Sequence, residues 1–492
     1  MSQGTGSPSA AEPDASPKPT GRLRSHAARW GLLVFVALVT WFAFPPFGLG
    51  VEPGHPLTTT VGAILYNCLI LSIFWLLLAF YRRETYVHFH EVSFIAGLFA
   101  LVVLLSAAIL HIFPDRPELL PISFAAILLT MLYNGRLAVY AAATLAMLLG
   151  SRYGIGENPT LLFGLTGGVA AALSLRAIRR RSQLYRTIAV MALASGLASL
   201  ALGLMFNWTA ERILTSAAAG AISALGSVSV ALICLPLAES LTRITTDLTL
   251  LELSDPSRPL LRRLSLEAPG TWAHSVQMAN LCESACNAIG ANGLLARVGC
   301  YYHDVGKLTN PRFFVENQIA GVNPHDALPP QESARIIRLH VLGGLALAEA
   351  AKLPPAVRNF IPEHHGTSRI DYFFEQARSP GQQPGPDVED FEYPGPRPRS
   401  AETAITMLAD AAEAALRVLD DPTPERVREA VEYLVRQRVA SGQLQEAPLT
   451  LKDLDLVTRE FVRIMTGMYH NRIEYPTASG GIGATFGRKP GE

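Results

Sequence analysis

The chain has 492 residues, enough for two or three domains, with 49% hydrophobic and only 17% charged residues and a mean hydropathy of +0.25. That composition excludes a protein that is soluble throughout, and the balance of 41 basic against 41 acidic residues argues against a binder of nucleic-acid polymers. Apolar runs fill residues 30–240 and charges gather after about residue 250, so a membrane half precedes a soluble half.

Residues 1–29 read as a disordered tail rich in Ser, Pro, Gly and Ala that ends on Arg22, Arg24 and Arg29. The apolar run 30–47 has the look of a signal peptide but no small-x-small cleavage site, and it is expected to be a retained first transmembrane helix. Further apolar stretches lie at 58–81, 91–113, 119–134, 136–150, 159–175, 187–206 and 212–238, most of them near the ~20 residues a bilayer demands. The pair 119–134 and 136–150 is short and split by Asn134-Gly135-Arg136. It reads as two thin spans or as a re-entrant hairpin buried among other helices. Counting both gives eight spans in a transmembrane domain over 30–240. Alternate loops hold Arg22, Arg24 and Arg29, then Arg82 and Arg83, Arg136, the group Arg176, Arg179, Arg180, Arg181 and Arg186, and finally Arg243. The opposite loops hold only Arg116, Arg152 and Arg212, which places both termini in the cytoplasm. Mid-span acids and bases are scarce, which argues against a pump or an ion-coupled transporter.

Residues 241–268 form a linker: an amphipathic helix over 246–254, broken by Asp255-Pro256 and Arg258-Pro259. A soluble domain follows over 269–476. Helical periodicity is clear at 275–289, 294–302, 332–351, 401–419, 424–441 and 451–471. Thr423 before Pro424 is an N-cap with Pro at the first helical position, and Thr450-x-x-Asp453 is a capping box. No strand-like alternation appears, so the fold class is all-α in both halves. Residues 378–399 are a Pro/Gly-rich loop and 477–492 a flexible tail. The five cysteines (68, 234, 282, 286, 300) lack zinc-site spacing and read as reduced, buried thiols.

The chemistry centres on Tyr302-His303-Asp304-Val305-Gly306-Lys307. A His followed by an Asp supplies an imidazole and a carboxylate whose two oxygens can bridge two metal ions. Lys307 puts a cation where a phosphate would sit. Asp410 lies in a strongly apolar helical stretch, where a carboxylate is costly unless paired or metal-bound. His364 and His365 repel when protonated and make good ligands when neutral. His274, His303, Asp304, His340, His364, His365 and Asp410 together suit two octahedral first-row divalent ions. Fe or Mn is favoured, since no thiolate accompanies the imidazoles. Any one of these histidines, taken alone, is more commonly a hydrogen-bonded core residue. Asn317 and Asn323 are candidates for contacts to a base or ribose, or are turn residues. His325 is a candidate proton donor or a residue that shapes its loop. Phe313, Phe314, Tyr372 and Phe373 stack on a base or belong to the core.

The order His…His-Asp…Asp resembles the HD-domain phosphohydrolase signature. The stretches Pro269-Gly270-Thr271-Trp272-Ala273-His274, Phe313-Phe314-Val315-Glu316-Asn317-Gln318, Asn323-Pro324-His325-Asp326, Glu363-His364-His365-Gly366-Thr367 and Tyr393-Pro394-Gly395-Pro396 look like the seven-transmembrane HD family of PgpH-type membrane phosphodiesterases. The resemblance runs over roughly residues 60–476. It implies a multi-pass protein of the inner (cytoplasmic) membrane, embedded in the lipid bilayer, with the HD domain and the N-terminus in the cytoplasm. It also implies hydrolysis of cyclic di-AMP to pApA, with Asp304 and Lys307 in catalytic positions. One metal would be held by His274, His303, Asp304 and Asp410, the other by Asp304, His340, His364 and His365. Relatives carry a large extracellular domain after the first span, where this chain has only residues 47–56. Other nucleotides (cyclic di-GMP or a guanosine tetraphosphate-like molecule) stay open, although Gly366-Thr367-Ser368 replaces the Gly-Tyr-Pro of the cyclic di-GMP group. A receptor that only binds nucleotide, and a transporter, also stay open. The linker helix offers a surface for a homodimer, without a clean heptad.

Overall fold

The computed structural model describes residues 19–44, 56–150, 159–175, 180–318, 323–378, 386–417, 419 and 422–470. Of the tail expected at 1–29, residues 1–18 lie outside them, whereas 19–29 are helical and open the first helix; the tail at 477–492 and most of the connection at 47–56 also lie outside them. The chain divides into two units, Met1–Leu248 and Thr249–Glu492. Among the described residues both are helical without strands, and one isolated bridge joins Arg369 to Glu392.

The first unit holds α1 (Pro19–Ala43), α2 (Pro56–Tyr81), the five-residue α3 (Arg83–Val87), α4 (Phe89–Ile112), α5 (Ile122–Leu132), α6 (Gly135–Gly150), α7 (Pro159–Ser174), α8 (Arg181–Met205) and α9 (Ala210–Thr242). Each of the eight apolar stretches of the sequence is one helix. Four of them, in α2, α4, α8 and α9, are long and apolar enough to cross a membrane. The other four offer shorter apolar lengths, and α5 has only 11 residues. Of those 11, ten are buried, because α5 is apolar all round and sits against α6, α7 and α9. Gly164 and Gly168, four apart on α7, face Ala146 and Ala142 of α6. An added Cβ at Gly168 would lie 2.4 Å from the Ala142 methyl, so the two backbones meet directly. Phe74, Trp75 and Phe99 form the aromatic part of the core.

Two charged residues depart from the expectation that charge stays in loops. Arg29 is 6% exposed: Nη2 donates to Val87 O at 2.5 Å and the guanidinium lies over Tyr86. Glu118 folds back into the bundle, its side chain 2% exposed beside Arg116 at 3.3 Å.

The boundary between the units falls within α10 (Asp247–Leu253). The second unit continues with α11 (Pro259–Glu267), α12 (Pro269–Ile289), α13 (Gly293–Tyr302), α14 (Pro330–Ala350), short α15 (Pro355–Arg358) and α16 (Phe360–Glu363), α17 (Asp371–Ala377), α18 (Ala401–Arg417), α19 (Pro424–Ala440) and α20 (Leu451–His470). Helix α11 corrects the reading of Pro259 as a breaker. Proline at the first helical position lacks an N–H that would be unpaired anyway, so it opens the helix. The expected caps form: Thr423 Oγ1 accepts from Arg426 N, and Thr450 and Asp453 cap each other reciprocally. Helices α12, α13, α18 and α20 pack around Leu281, Val298, Leu408 and Phe461, all buried. The five cysteines are free thiols, with 282, 286 and 300 in this core.

Candidate metal centre

Five elements of the second unit bring their side chains to one point. Helix α12 starts on Pro269, and Asn317 Oδ1 accepts from the backbone N–H of Gly270 (2.9 Å) and Thr271 (3.2 Å). Only glycine fits at 270, since a Cβ there would stand 1.9 Å from Glu316 O. One turn on, His274 points inward. Helix α13 ends at Tyr302, and His303 and Asp304 lead into a 3-10 turn over Val305–Thr309. Gly306 lets that turn lie on α14, because a Cβ would fall 1.7 Å from His340 O. Helix α14 carries His340, the end of α16 carries His364 and His365, and α18 carries Asp410. Glu363 ties the α16 end to α18, accepting from Arg399 N (3.0 Å) and Thr403 Oγ1 (2.7 Å).

Asp304, 1% exposed, is the centre. Its Oδ2 faces His303 Nε2 at 3.2 Å and His274 Nε2 at 3.9 Å. Its Oδ1 faces His340 Nε2 at 3.5 Å and His364 Nε2 at 3.7 Å. Asp410 Oδ1 lies 3.2 Å from His274 Nε2. The ligand atoms of Asp304, His340, His364 and His365 fall within 4.8 Å of one another, and so do those of His274, His303 and Asp410. All seven residues singled out in the sequence therefore meet, in two sets on the two sides of one carboxylate.

Backbone carbonyls set the imidazole orientations. Nδ1 of His303 lies 2.7 Å from Cys300 O, that of His340 2.5 Å from Ile337 O, and that of His364 2.8 Å from Phe360 O. A carbonyl accepts only from N–H, so Nδ1 carries the proton and each Nε2 presents a lone pair inward. Those three Nε2 atoms and Asp304 Oδ1 are buried with no hydrogen-bond partner. Orphaned buried acceptors are costly, and a cation between them satisfies the whole set. The donor set thus fits divalent metal ions, with imidazole and carboxylate ligands and no thiolate.

Burial, reinforced by neighbouring histidines, lowers the pKa of His364 to about 3 and that of His365 well below its ordinary value. Burial likewise lowers His340, against the pull of Asp304. These three rings are neutral, as ligands must be. His274 and His303 differ: burial lowers both, but the carboxylates beside them outweigh it, Asp410 and Glu413 raising His274 to about 10 and Asp304 raising His303, so a metal ion here would take the place of the proton those carboxylates attract. His274 Nδ1 lies 3.2 Å from Glu413, which Arg417 holds from the other side at 2.8 Å. Sequence reading missed Glu413. The signal was there, one turn past Asp410 on the same helix face. Tyr393, from the expected loop, stacks on His365 with ring centroids 4.0 Å apart.

Lys307 Nζ stands 2.7 Å from Asp304 Oδ2 and 2.8 Å from Glu316 Oε1. Burial works against its charge, but the two carboxylates outweigh it and hold its pKa above the ordinary value. The other candidate contact residues are engaged by protein partners. Asn317 caps α12 and donates from Nδ2 to Thr271 Oγ1. Asn323 caps the 3-10 turn Pro324–Ala327 and donates to Asp326 at 2.9 Å. His325 Nε2 lies 2.9 Å from Phe313 O, its ring between Phe313 and Phe373. Phe314 and Phe373 are buried, whereas Tyr372 is 73% exposed.

The family described as 7TM receptor with intracellular HD hydrolase matches residues 57–246, and the HD domain matches residues 271–415. The first match runs from the start of α2 to the end of α9, and α1 precedes it. The cyclic-di-AMP phosphodiesterase PgpH of Bacillus subtilis is 38% identical over 368 residues, 73% of this chain and 52% of the relative. Its counterpart from Listeria monocytogenes is 32% identical over 400 residues, 80% of this chain and 55% of the relative. The chain spans about half the length of these curated relatives. A crystal structure of the L. monocytogenes PgpH HD domain is 36% identical and aligns with 44% of this chain and 100% of its own, at a TM-score of 0.42.

Proposed function

The chain belongs to the family of 7TM receptors with an intracellular HD hydrolase, and on that premise we propose that it is a metal-dependent phosphodiesterase that opens cyclic di-AMP to pApA at the cytoplasmic face of the inner membrane. The observation that carries this reading is Asp304, whose two oxygens face two sets of inward-pointing donors. His274, His303, Asp304 and Asp410 would hold one ion, and Asp304, His340, His364 and His365 the other. Iron or manganese suits these ligands.

Divalent ions bound there would supply Lewis acidity, toward water as a nucleophile near neutral pH and toward the charge of a phosphodiester. The protein's part is to hold, orient and neutralise. The carbonyls of Cys300, Ile337 and Phe360 keep three Nε2 lone pairs aimed inward, so no ligand has to reorganise. Glu413, 3.2 Å from His274 Nδ1, places its charge on the far side of that ring. Lys307, held cationic between Asp304 and Glu316, adds positive charge beside the non-bridging phosphate oxygens, where negative charge grows in the transition state. Burial of the centre strengthens each of these interactions.

The test uses the full chain in detergent, loaded with Mn, incubated separately with cyclic di-AMP and cyclic di-GMP beside an Asp304→Ala control. Conversion of cyclic di-AMP to pApA, absent in the control, is expected. Turnover of the guanine dinucleotide alone overturns the substrate. Turnover of neither, with metal bound, overturns the enzyme reading in favour of a nucleotide receptor.

A further inference from the structure

The loop that carries His364 and His365 continues into Gly366, Thr367 and Ser368, and two arginines reach it from elsewhere in the unit. Arg438, on α19, donates from Nη1 to Ser368 Oγ at 3.0 Å, while its Nε is buried without a hydrogen-bond partner. Arg397, in the segment before α18, donates from Nε to Thr367 Oγ1 at 3.3 Å and from Nη1 to Gln445 Oε1 at 3.1 Å. All these partners are neutral. Among the described residues neither arginine makes an ion pair, whereas Arg369, next to Ser368, and Arg399, two residues past Arg397, both do. Arg369 pairs with Asp371 at 2.7 Å, and Arg399 pairs with Glu446 at 3.0 Å. A half-buried guanidinium without a counter-ion is expensive, and burial accordingly lowers the Arg438 pKa. The acids that act on it are Asp410, which belongs to the metal centre, and Asp371, already engaged by Arg369.

The anchors of these two charges, Thr367 and Ser368, follow the ligand His365 by two and three residues. Tyr393 donates its backbone N–H to Ser368 O at 3.0 Å while its ring stacks on His365. Gly366 keeps the turn tight: it has φ +56°, and a Cβ would lie 2.5 Å from Gln443 Oε1. Gln443 in turn accepts from Thr367 N at 3.0 Å and donates to Thr367 Oγ1 at 3.0 Å, so the loop is braced and the guanidinium forks have fixed anchors.

A cyclic dinucleotide carries two phosphodiesters. On the phosphodiesterase reading the metal-ligand set would face the one that is cut, and the other brings a second negative charge into the same site. A guanidinium with unused N–H donors is the side chain best matched to it. We propose that Arg438 and Arg397, anchored on Ser368 and Thr367, form the subsite for the second, unreacted phosphate of the cyclic dinucleotide. The inference rests on the phosphodiesterase reading above and names how that site selects a dinucleotide over a simple diester.

The experiment compares cyclic di-AMP with bis(p-nitrophenyl) phosphate, which has one phosphodiester and no second phosphate, on the full Mn-loaded chain in detergent. Arg438→Ala and Arg397→Ala should each raise KM for cyclic di-AMP about 10- to 100-fold, the worth of a charge-assisted contact. Turnover of the small diester and metal content should stay unchanged. Arg438→Lys should recover part of the loss, because the charge returns without the fork. Equal losses on both substrates would make the arginines structural, and unchanged KM values would remove the subsite. Wild-type protein that cleaves the small diester but not cyclic di-AMP would instead overturn the substrate reading on which the subsite depends.

Discussion

The two units bury polar groups in opposite ways. In the first, buried hydroxyls turn back onto their own helix: Thr40 onto Val36 O, Thr130 onto Ala126 O, Thr144 onto Tyr140 O and Thr242 onto Ala238 O. Among the described residues the bonds that do cross between helices are few, such as Ser199 to Ser216, and α6 and α7 meet through glycine and alanine. In the second unit buried polar atoms look across the structure. Thr403 bonds Glu363, Asn317 bonds Thr271, and four imidazoles converge on Asp304. The first pattern is made for close packing where backbone groups must be satisfied locally. The second holds unsatisfied atoms in register, which costs stability and makes a binding centre.

If that contrast is right, single substitutions should separate the two. The largest effect belongs to the metal sets. His274→Ala and His340→Ala should each lose one ion of the pair and bring hydrolysis to background, while the helical circular dichroism signal is kept. Loss of both ions from either variant would merge the two sets into one. Gly306→Ala comes next. Its Cβ would strike the His340 carbonyl, and a destabilisation of about 3 kcal/mol is expected in thermal unfolding, together with lost metal. Glu413→Gln keeps the shape but weakens the orientation of His274. Metal affinity, read by chelator competition, should fall about 10- to 100-fold with little change in Tm.

In the first unit, Gly168→Ile should cost about 1–3 kcal/mol by forcing α7 from α6, seen as earlier aggregation on heating in detergent. An unchanged onset would mean that the α6–α7 contact is not close. The smallest effect concerns acid stability. Burial raises the Glu316 pKa, but Lys307 outweighs it and leaves the pKa below its unfolded value of 4.5. A depressed carboxylate contributes stability that is present above the unfolded pKa and is lost as pH falls through the folded one. The wild-type Tm should therefore drop as pH falls below about 4.5, and Glu316→Gln should flatten part of that drop.

Helix positions and caps were legible because they are local. Periodicity located α12 to α14 and α18 to α20, and Thr423 and Thr450 marked two starts by their own side chains. The seven inward residues were legible because a His-Asp pair, an adjacent His pair and an Asp in an apolar helix are each odd where they stand. Helix α11 was hidden by its prolines, whose effect depends on whether they fall at a helix start or inside one. Arg29 and Glu118 sit in stretches that read as flanks and loops, and only packing draws them inward.

From its order of residues alone, this protein is an all-helical chain with an apolar first half and a histidine-rich second half whose spacing resembles a dimetal hydrolase. Local chemistry suffices for that, since turns, periods and motifs span a few residues. Which Asp304 oxygen faces which imidazoles, that Glu413 steadies His274, and that Arg397 and Arg438 stand without acids beside Thr367 and Ser368 were decided by tertiary structure. Each of these depends on distances between residues tens of positions apart, and it is the packing of α12, α14, α18 and α19 that brings them together.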